Sequence, residues 1–254
     1  MTTAQVLSIR GLRKSFDGFV AVQDVDFALA AGERHAVIGP NGAGKTTFFN
    51  LITGHLRPDA GEILLGDRAI TGLPPHRIVR RGIARSFQRI NIYPRLSVYE
   101  SVQAAHIARA GRTFELFTLA DRLYRDETEA TLAAVGLTSD ADAPAGTLAY
   151  GKQKQLELAI ALAADPRLLL LDEPTAGMSP HETAEAIQLV GRIANERKLT
   201  LLFTEHDMDV VFSIADRVSV LHHGAIIATG TPDQIRRDAE VRRVYLGKAI
   251  DEAA

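Results

Sequence analysis

The stretch Gly39-Pro40-Asn41-Gly42-Ala43-Gly44-Lys45-Thr46 constrains this chain more than any other. It fits G-x-x-x-x-G-K-[ST], and its flanks fit too, with a strand expected over Arg34–Ile38 and a helix over Lys45–Ile52. Glycines let backbone N–H groups curl around a phosphate with no Cβ in the way, and the helix N-terminus adds partial positive charge. Lys45 is placed to reach β- and γ-phosphates, and Thr46 to offer its hydroxyl to Mg2+, with Thr47 following in the first helical turn. A chain built around such a turn is α/β, because a strand must end where a helix begins.

A second stretch agrees. Leu168–Leu171 is an all-apolar run suited to a strand buried on both faces, which implies a parallel sheet. It ends in Asp172-Glu173, so both carboxylates fall at the C-terminal edge of a strand, where α/β sheets bind ligands. Asp172 suits Mg2+, and Glu173 suits orienting and deprotonating the water that attacks a γ-phosphate.

Further strands are expected over Val22–Leu29, where Val25, Phe27 and Leu29 alternate with polar residues, and over Glu62–Leu65 and Thr200–Phe203. Val218–Leu221 and Ile226–Ala228 flank His222-His223-Gly224 as a hairpin. Pro74-Pro75 opens a basic helical segment closed by Gly82. From Ser97 to Leu137 alanine, leucine, arginine and glutamate dominate, the pattern of an inserted helical subdomain, and Lys152–Ala164 continues as a helix. Ser179-Pro180-His181-Glu182 and Thr231-Pro232-Asp233-Gln234 carry N-cap patterns with proline at the first helical position.

Composition narrows the function. The 254 residues are 46% apolar and 24% charged, ordinary for a globular protein, and no cysteine is present, which excludes disulfides, thiolate zinc sites and a catalytic cysteine. The longest apolar run, Leu158–Ala164, is far short of the ~20 residues that span a bilayer, and the first residues do not read as a secretion signal, so a cytoplasmic protein is expected. With 29 basic and 31 acidic side chains the net charge of -2 gives no global field for nucleic acid, so an anion has to be gripped locally.

Several further motifs, in order, carry a resemblance. Phe16 precedes the phosphate loop, Gln88 lies in Ser86-Phe87-Gln88, and Leu148-Ala149-Tyr150-Gly151-Lys152-Gln153 comes shortly before Asp172-Glu173. Ala176-Gly177-Met178-Ser179 follows, and His206 comes after the strand at 200–203. Nearly end to end, the chain resembles the ATP-binding subunit of an ABC transporter. The resemblance implies a P-loop NTPase (RecA-like) core with a mainly parallel sheet, an N-terminal antiparallel β subdomain and an inserted helical subdomain. The core would comprise residues 1–88 and 154–254, and the helical subdomain residues 89–153.

It also implies roles. Phe16 would stack on adenine, and Gln88 would touch Mg2+ and the attacking water and sense the membrane partner. His206 would be the switch histidine. Ala149, Tyr150, Gly151 and Lys152 would stand at the signature position facing ATP bound to a second subunit, and 176–179 would form the loop that crosses to it. The common signature is Leu-Ser-Gly-Gly-Gln; Ala149 lacks the serine hydroxyl that bonds the γ-phosphate. Unequal sites are therefore expected, the one built with this signature being the weaker. The Ala-Tyr variant, Ser86-Phe87-Gln88 and the closing Val244-Tyr245-Leu246-Gly247 are similar to ATPases of branched-chain amino-acid and urea importers.

In that family two ATPase subunits sandwich two ATP beneath two membrane permease subunits, and an extracytoplasmic binding protein chooses the solute. The chain would sit at the cytoplasmic face of the inner membrane, without the large regulatory C-terminal domain of sugar-importer ATPases. Coupling to the permease would run through Arg89–Leu96, flanked by Arg77, Arg80, Arg81 and Arg85. An exporter ATPase and a non-transport ABC protein are the alternatives. A switch GTPase is disfavoured, since Asn-Lys-x-Asp is absent, and a small-molecule kinase leaves the signature and His206 without a purpose.

Overall fold

The computed structural model describes residues 5–86, 92–110 and 123–244. They form two compact units, one of residues up to Arg81 together with those from Leu199 onward, the other of Gly82–Lys198.

The first unit begins with a long hairpin, β1 (Gln5–Phe16) and β2 (Phe19–Ala30). Its two-residue turn is Asp17-Gly18, with φ of 46° and 89°, the left-handed pair that matches the twist of antiparallel strands. β3 (Arg34–Ile38) leads through the phosphate loop into α1 (Lys45–Ile52). β4 (Ala60–Leu65) and β5 (Arg68–Ala69) follow, and α2 (Pro75–Arg81) ends this part of the unit. β2, β1, β4 and β5 lie in that order in an antiparallel sheet, the expected N-terminal β subdomain.

The second unit contains β6 (Ile83–Ser86), α3 (Val98–Arg109), α4 (Arg125–Val135), α5 (Tyr150–Ala163), β7 (Leu168–Asp172) and α6 (Pro180–Arg197). Here α3, α4 and α5 pack on one another as the helical insert. Local chemistry explains their ends: Ser97 and Glu100 form a capping box on α3, and Gly136 closes α4 with φ 77°. β6 and β7 pair in parallel, and Leu168–Leu171 are at most 2% exposed, each worth roughly 1.5–3 kcal/mol of burial.

The chain then completes the first unit with β8 (Thr200–Thr204), α7 (Met208–Ile214), β9 (Arg217–His222), β10 (Ala225–Gly230) and α8 (Pro232–Arg237). β3 is flanked in parallel by β8 and β9, and β10 runs antiparallel on β9. The turn between β9 and β10 is His223-Gly224, again with positive φ at both residues, 47° and 81°. Phe48 and Phe49 of α1 are fully buried in this unit, and Phe48 meets Phe27 of β2 edge-on at 5.6 Å.

Three differences from the sequence reading stand out. β1 and β6 are strands that the sequence pattern had not shown, and α5 starts at Tyr150 rather than Lys152. Arg85 does not belong with the other arginines. Arg77, Arg80 and Arg81 are exposed on α2, whereas Arg85 lies on β6 with its side chain 6% exposed.

Candidate functional site

The phosphate loop is held from behind by the β9–β10 turn. Gly224 N–H donates to Ala43 O at 2.9 Å while Gly224 O accepts from Gln23 N–H at 2.8 Å, so one residue ties the loop to β2. Two glycines are demanded by close approach. A Cβ on Gly39 would stand 2.1 Å from Leu221 O, and one on Gly44, whose φ is 106°, would stand 2.2 Å from Ala21 O.

Gly44 also serves as the N-cap of α1. It supplies no capping side chain, and the first turn holds no acidic residue. The first N–H groups of α1 are therefore not occupied by a side-chain cap and keep their positive end, the arrangement that receives phosphate. Lys45 is buried and donates to Gly39 O at 2.5 Å and Pro40 O at 3.2 Å, which keeps its ammonium at the loop. Thr46 is exposed beside it on α1, Thr47 half-buried, and Asn41 and Gly42 are exposed on the loop.

Phe16 ends β1 opposite Phe19 across the Asp17-Gly18 turn. The two rings are 40% and 62% exposed, so this is a surface aromatic rather than a core one, as stacking on a base requires. Asp59 fixes the approach: it accepts from Lys14 Nζ at 2.7 Å, Ser15 N–H at 2.7 Å and Ser15 Oγ at 2.9 Å. These bonds, Lys14 foremost, hold its carboxyl down at about 2. Lys14 Nζ also lies 5.5 Å over the Phe16 ring. Phe19 is a second exposed aromatic that sequence reasoning missed; the Asp17-Gly18 turn was its signal.

His206 follows β8 on the same unit, exposed, with its backbone N–H on Glu205 Oε2 at 3.2 Å. The next residue, Asp207, caps α7 by accepting from Asp209 N–H and Val210 N–H.

In the other unit, Asp172 closes β7 with its side chain 5% exposed, and Glu173 stands at φ 51°, a left-handed conformation that costs a non-glycine residue roughly 1–2 kcal/mol. The left-handed residue turns the chain sharply at the end of β7. Asp172 is paired with Arg85, whose Nη2 donates to Oδ2 at 2.6 Å. Gln88 lies outside the described residues.

The signature segment opens α5. Ala149 is its N-cap and gives no side-chain bond, so the backbone N–H groups of that first turn are left without a side-chain cap. Tyr150 Oη donates to Ala176 O at 3.0 Å, joining the signature to the 176–179 loop within this unit. Gly151 packs against Glu182, and Lys152 Nζ is held by both carboxylate oxygens of Asp140, at 2.8 and 2.9 Å. Ser179 and Glu182 make the expected capping box on α6.

A family model described as ABC transporter matches residues 22–176. The chain belongs to the ABC transporter family. It is an ATP-binding and ATP-hydrolysing cassette. A second family model, branched-chain amino acid ATP-binding cassette transporter, matches residues 225–251 of this ABC cassette. The High-affinity branched-chain amino acid transport ATP-binding protein LivG of Escherichia coli is 40% identical over 96% of this chain and 98% of its own. The Lipopolysaccharide export system ATP-binding protein LptB of Haemophilus influenzae is 34% identical over the same shares. Among solved structures, the ADP conformation of an ATP-binding cassette of an ABC transporter superposes with TM-score 0.84 at 27% identity, covering 96% of this ABC cassette and 100% of that chain.

Proposed function

We propose that this ABC cassette is one ATPase subunit of an importer for branched-chain amino acids or a related small polar solute. The observation that carries the importer reading is the match at 225–251 to the branched-chain family, backed by the 40% identity to LivG against 34% to the export protein LptB. Among the described residues no helix is long and apolar enough to cross a membrane. The membrane path then belongs to permease subunits, with this cassette docked peripherally on their cytoplasmic side and a solute-binding protein supplying the cargo outside. A second ATP-binding subunit, a copy or a paralogue, completes an ATP-sandwich dimer.

The roles follow from the residues. Phe16 stacks on adenine. The peptides of 39–44, Lys45, Thr46 and Thr47 receive the phosphates, the ammonium neutralising charge that builds on the γ-phosphate. The hydroxyl of Thr46, the carboxylate of Asp172 and the amide of Gln88 are hard oxygen donors that suit Mg2+, which supplies charge neutralisation of the phosphates when bound. Glu173 orients the attacking water and takes its proton, and His206 contacts the γ-phosphate region. Ala149, Tyr150, Gly151 and Lys152 face the partner's nucleotide through the uncapped start of α5.

The test uses the purified full chain. Glu173→Gln should bind ATP as the wild type does and lose turnover by at least two orders of magnitude; retention of substantial hydrolysis overturns the assignment of the base. Tagged wild-type chain should copurify permease subunits, and its isolation as a complex with nucleic acid or with no membrane protein contradicts the transport reading.

A further inference from the structure

The residue that stands out beyond these roles is Arg85. The parallel register sets Arg85 opposite Leu170, and a strand repeats its face every second residue, so Arg85, Leu170 and Asp172 share one face of the β6–β7 pair. The diagonal step from Arg85 to Asp172 is within reach of a long side chain, and the Nη2–Oδ2 bond of 2.6 Å is the result. Both side chains are nearly enclosed, 6% and 5% exposed, so water screens the pair little.

We propose that Arg85 is a positioning residue that holds the Asp172 carboxylate and acts as its built-in counter-charge, so that Asp172 takes up a divalent cation only together with nucleotide. The inference rests on the reading of Asp172 as the Mg2+ carboxylate. A fixed guanidinium beside that carboxylate repels a cation arriving alone, because both compete for one negative group in a poorly screened place. Phosphates arriving with the cation bring the missing negative charge and offset the repulsion. The planar guanidinium, always charged, does this without a protonation change.

The experiment titrates Mn2+ into the nucleotide-free full chain and follows the free-ion paramagnetic resonance signal, then repeats it with ATP present, counting as protein-bound only the Mn2+ taken up beyond what ATP alone chelates in a protein-free titration. Wild type should bind Mn2+ weakly alone and at least tenfold more tightly with ATP. Arg85→Gln removes the charge yet keeps an N–H for Asp172, and should tighten nucleotide-free Mn2+ binding about tenfold or more; Arg85→Lys keeps the charge and should behave as wild type. A purely structural role would weaken binding in both variants and would not be rescued by lysine. Tight Mn2+ binding by nucleotide-free wild type overturns the proposal even if no variant folds. So does an Arg85→Gln chain that is folded and binds Mn2+ no more tightly than wild type. Asp172→Asn separates the two layers: if it leaves Mn2+ binding with ATP unchanged, the Mg2+ assignment itself fails, whereas a loss there with unaltered Arg85→Gln behaviour sinks the counter-charge alone.

Discussion

Replacing Gly39 by alanine probes how tightly the phosphate loop is held. The added Cβ would lie 2.1 Å from Leu221 O and 3.0 Å from Ala43 Cβ. That is roughly 1 Å inside the closest approach a carbon and an oxygen tolerate. Leu221 cannot retreat, because it is fully buried on β9, paired with Ile226 of β10, while its neighbour Val220 pairs with Ile38 of β3. The loop therefore moves instead, by about 1 Å, and such a displacement of a positioning element costs on the order of 100-fold in turnover. Overpacking should also lower unfolding free energy by about 1–3 kcal/mol. Gly42→Ala is the control: φ is 79° there, but nothing lies within 4 Å of the new Cβ, so it strains the backbone without pushing the loop. Steady-state hydrolysis by the assembled complex and urea denaturation of the chain measure both effects. If Gly39→Ala turns over within twofold of wild type, or no worse than Gly42→Ala, the clamp of β9 on the loop is not what positions the phosphates.

Other expectations concern the signature and acid stability. Ala149→Ser restores a hydroxyl able to bond a phosphate oxygen and should raise ATPase activity of the assembled complex by up to about tenfold; unchanged activity removes the argument for unequal sites. Tyr150→Phe deletes the bond to Ala176 O, so amide exchange over 176–179 should speed up severalfold, and an unaltered exchange pattern contradicts that tie. Burial pushes His106 below its usual value near 6.5, against the pull of Glu127. The unfolded chain then takes a proton that the folded one refuses, so stability should fall as pH drops from about 6.5 toward the folded value; His106→Gln should flatten this part of the profile, and an unchanged slope refutes the cause.

What could be read in advance follows from how locally each feature is encoded. The phosphate loop, the buried strand before Asp172 and the capping boxes at Ser179 and Thr231 are determined by neighbours in the chain, and each stands where its pattern placed it. β1 escaped because its alternation is broken by register shifts, one between Ile9 and Leu12 where Gly11 sits at φ 54°. β6 escaped because four residues are too few for a period to show. Arg85 is the sharper lesson. As one arginine among four it read as part of a basic surface, and only the register of β6 on β7 shows that it faces Asp172. Non-local pairing of this kind leaves no trace in spacing. The same holds for the clasp of the β9–β10 turn on Ala43, since a loop some 180 residues away cannot be read from the motif it supports.

If ATP hydrolysed by this chain drives solute import, uptake by whole cells depends on it. In cells lacking the gene, accumulation of radiolabelled leucine, isoleucine and valine at low external concentration should be lost, restored by the wild-type chain, and not restored by Glu173→Gln. Uptake that persists without the chain, or that Glu173→Gln restores in full, would mean that its ATP hydrolysis does not power import.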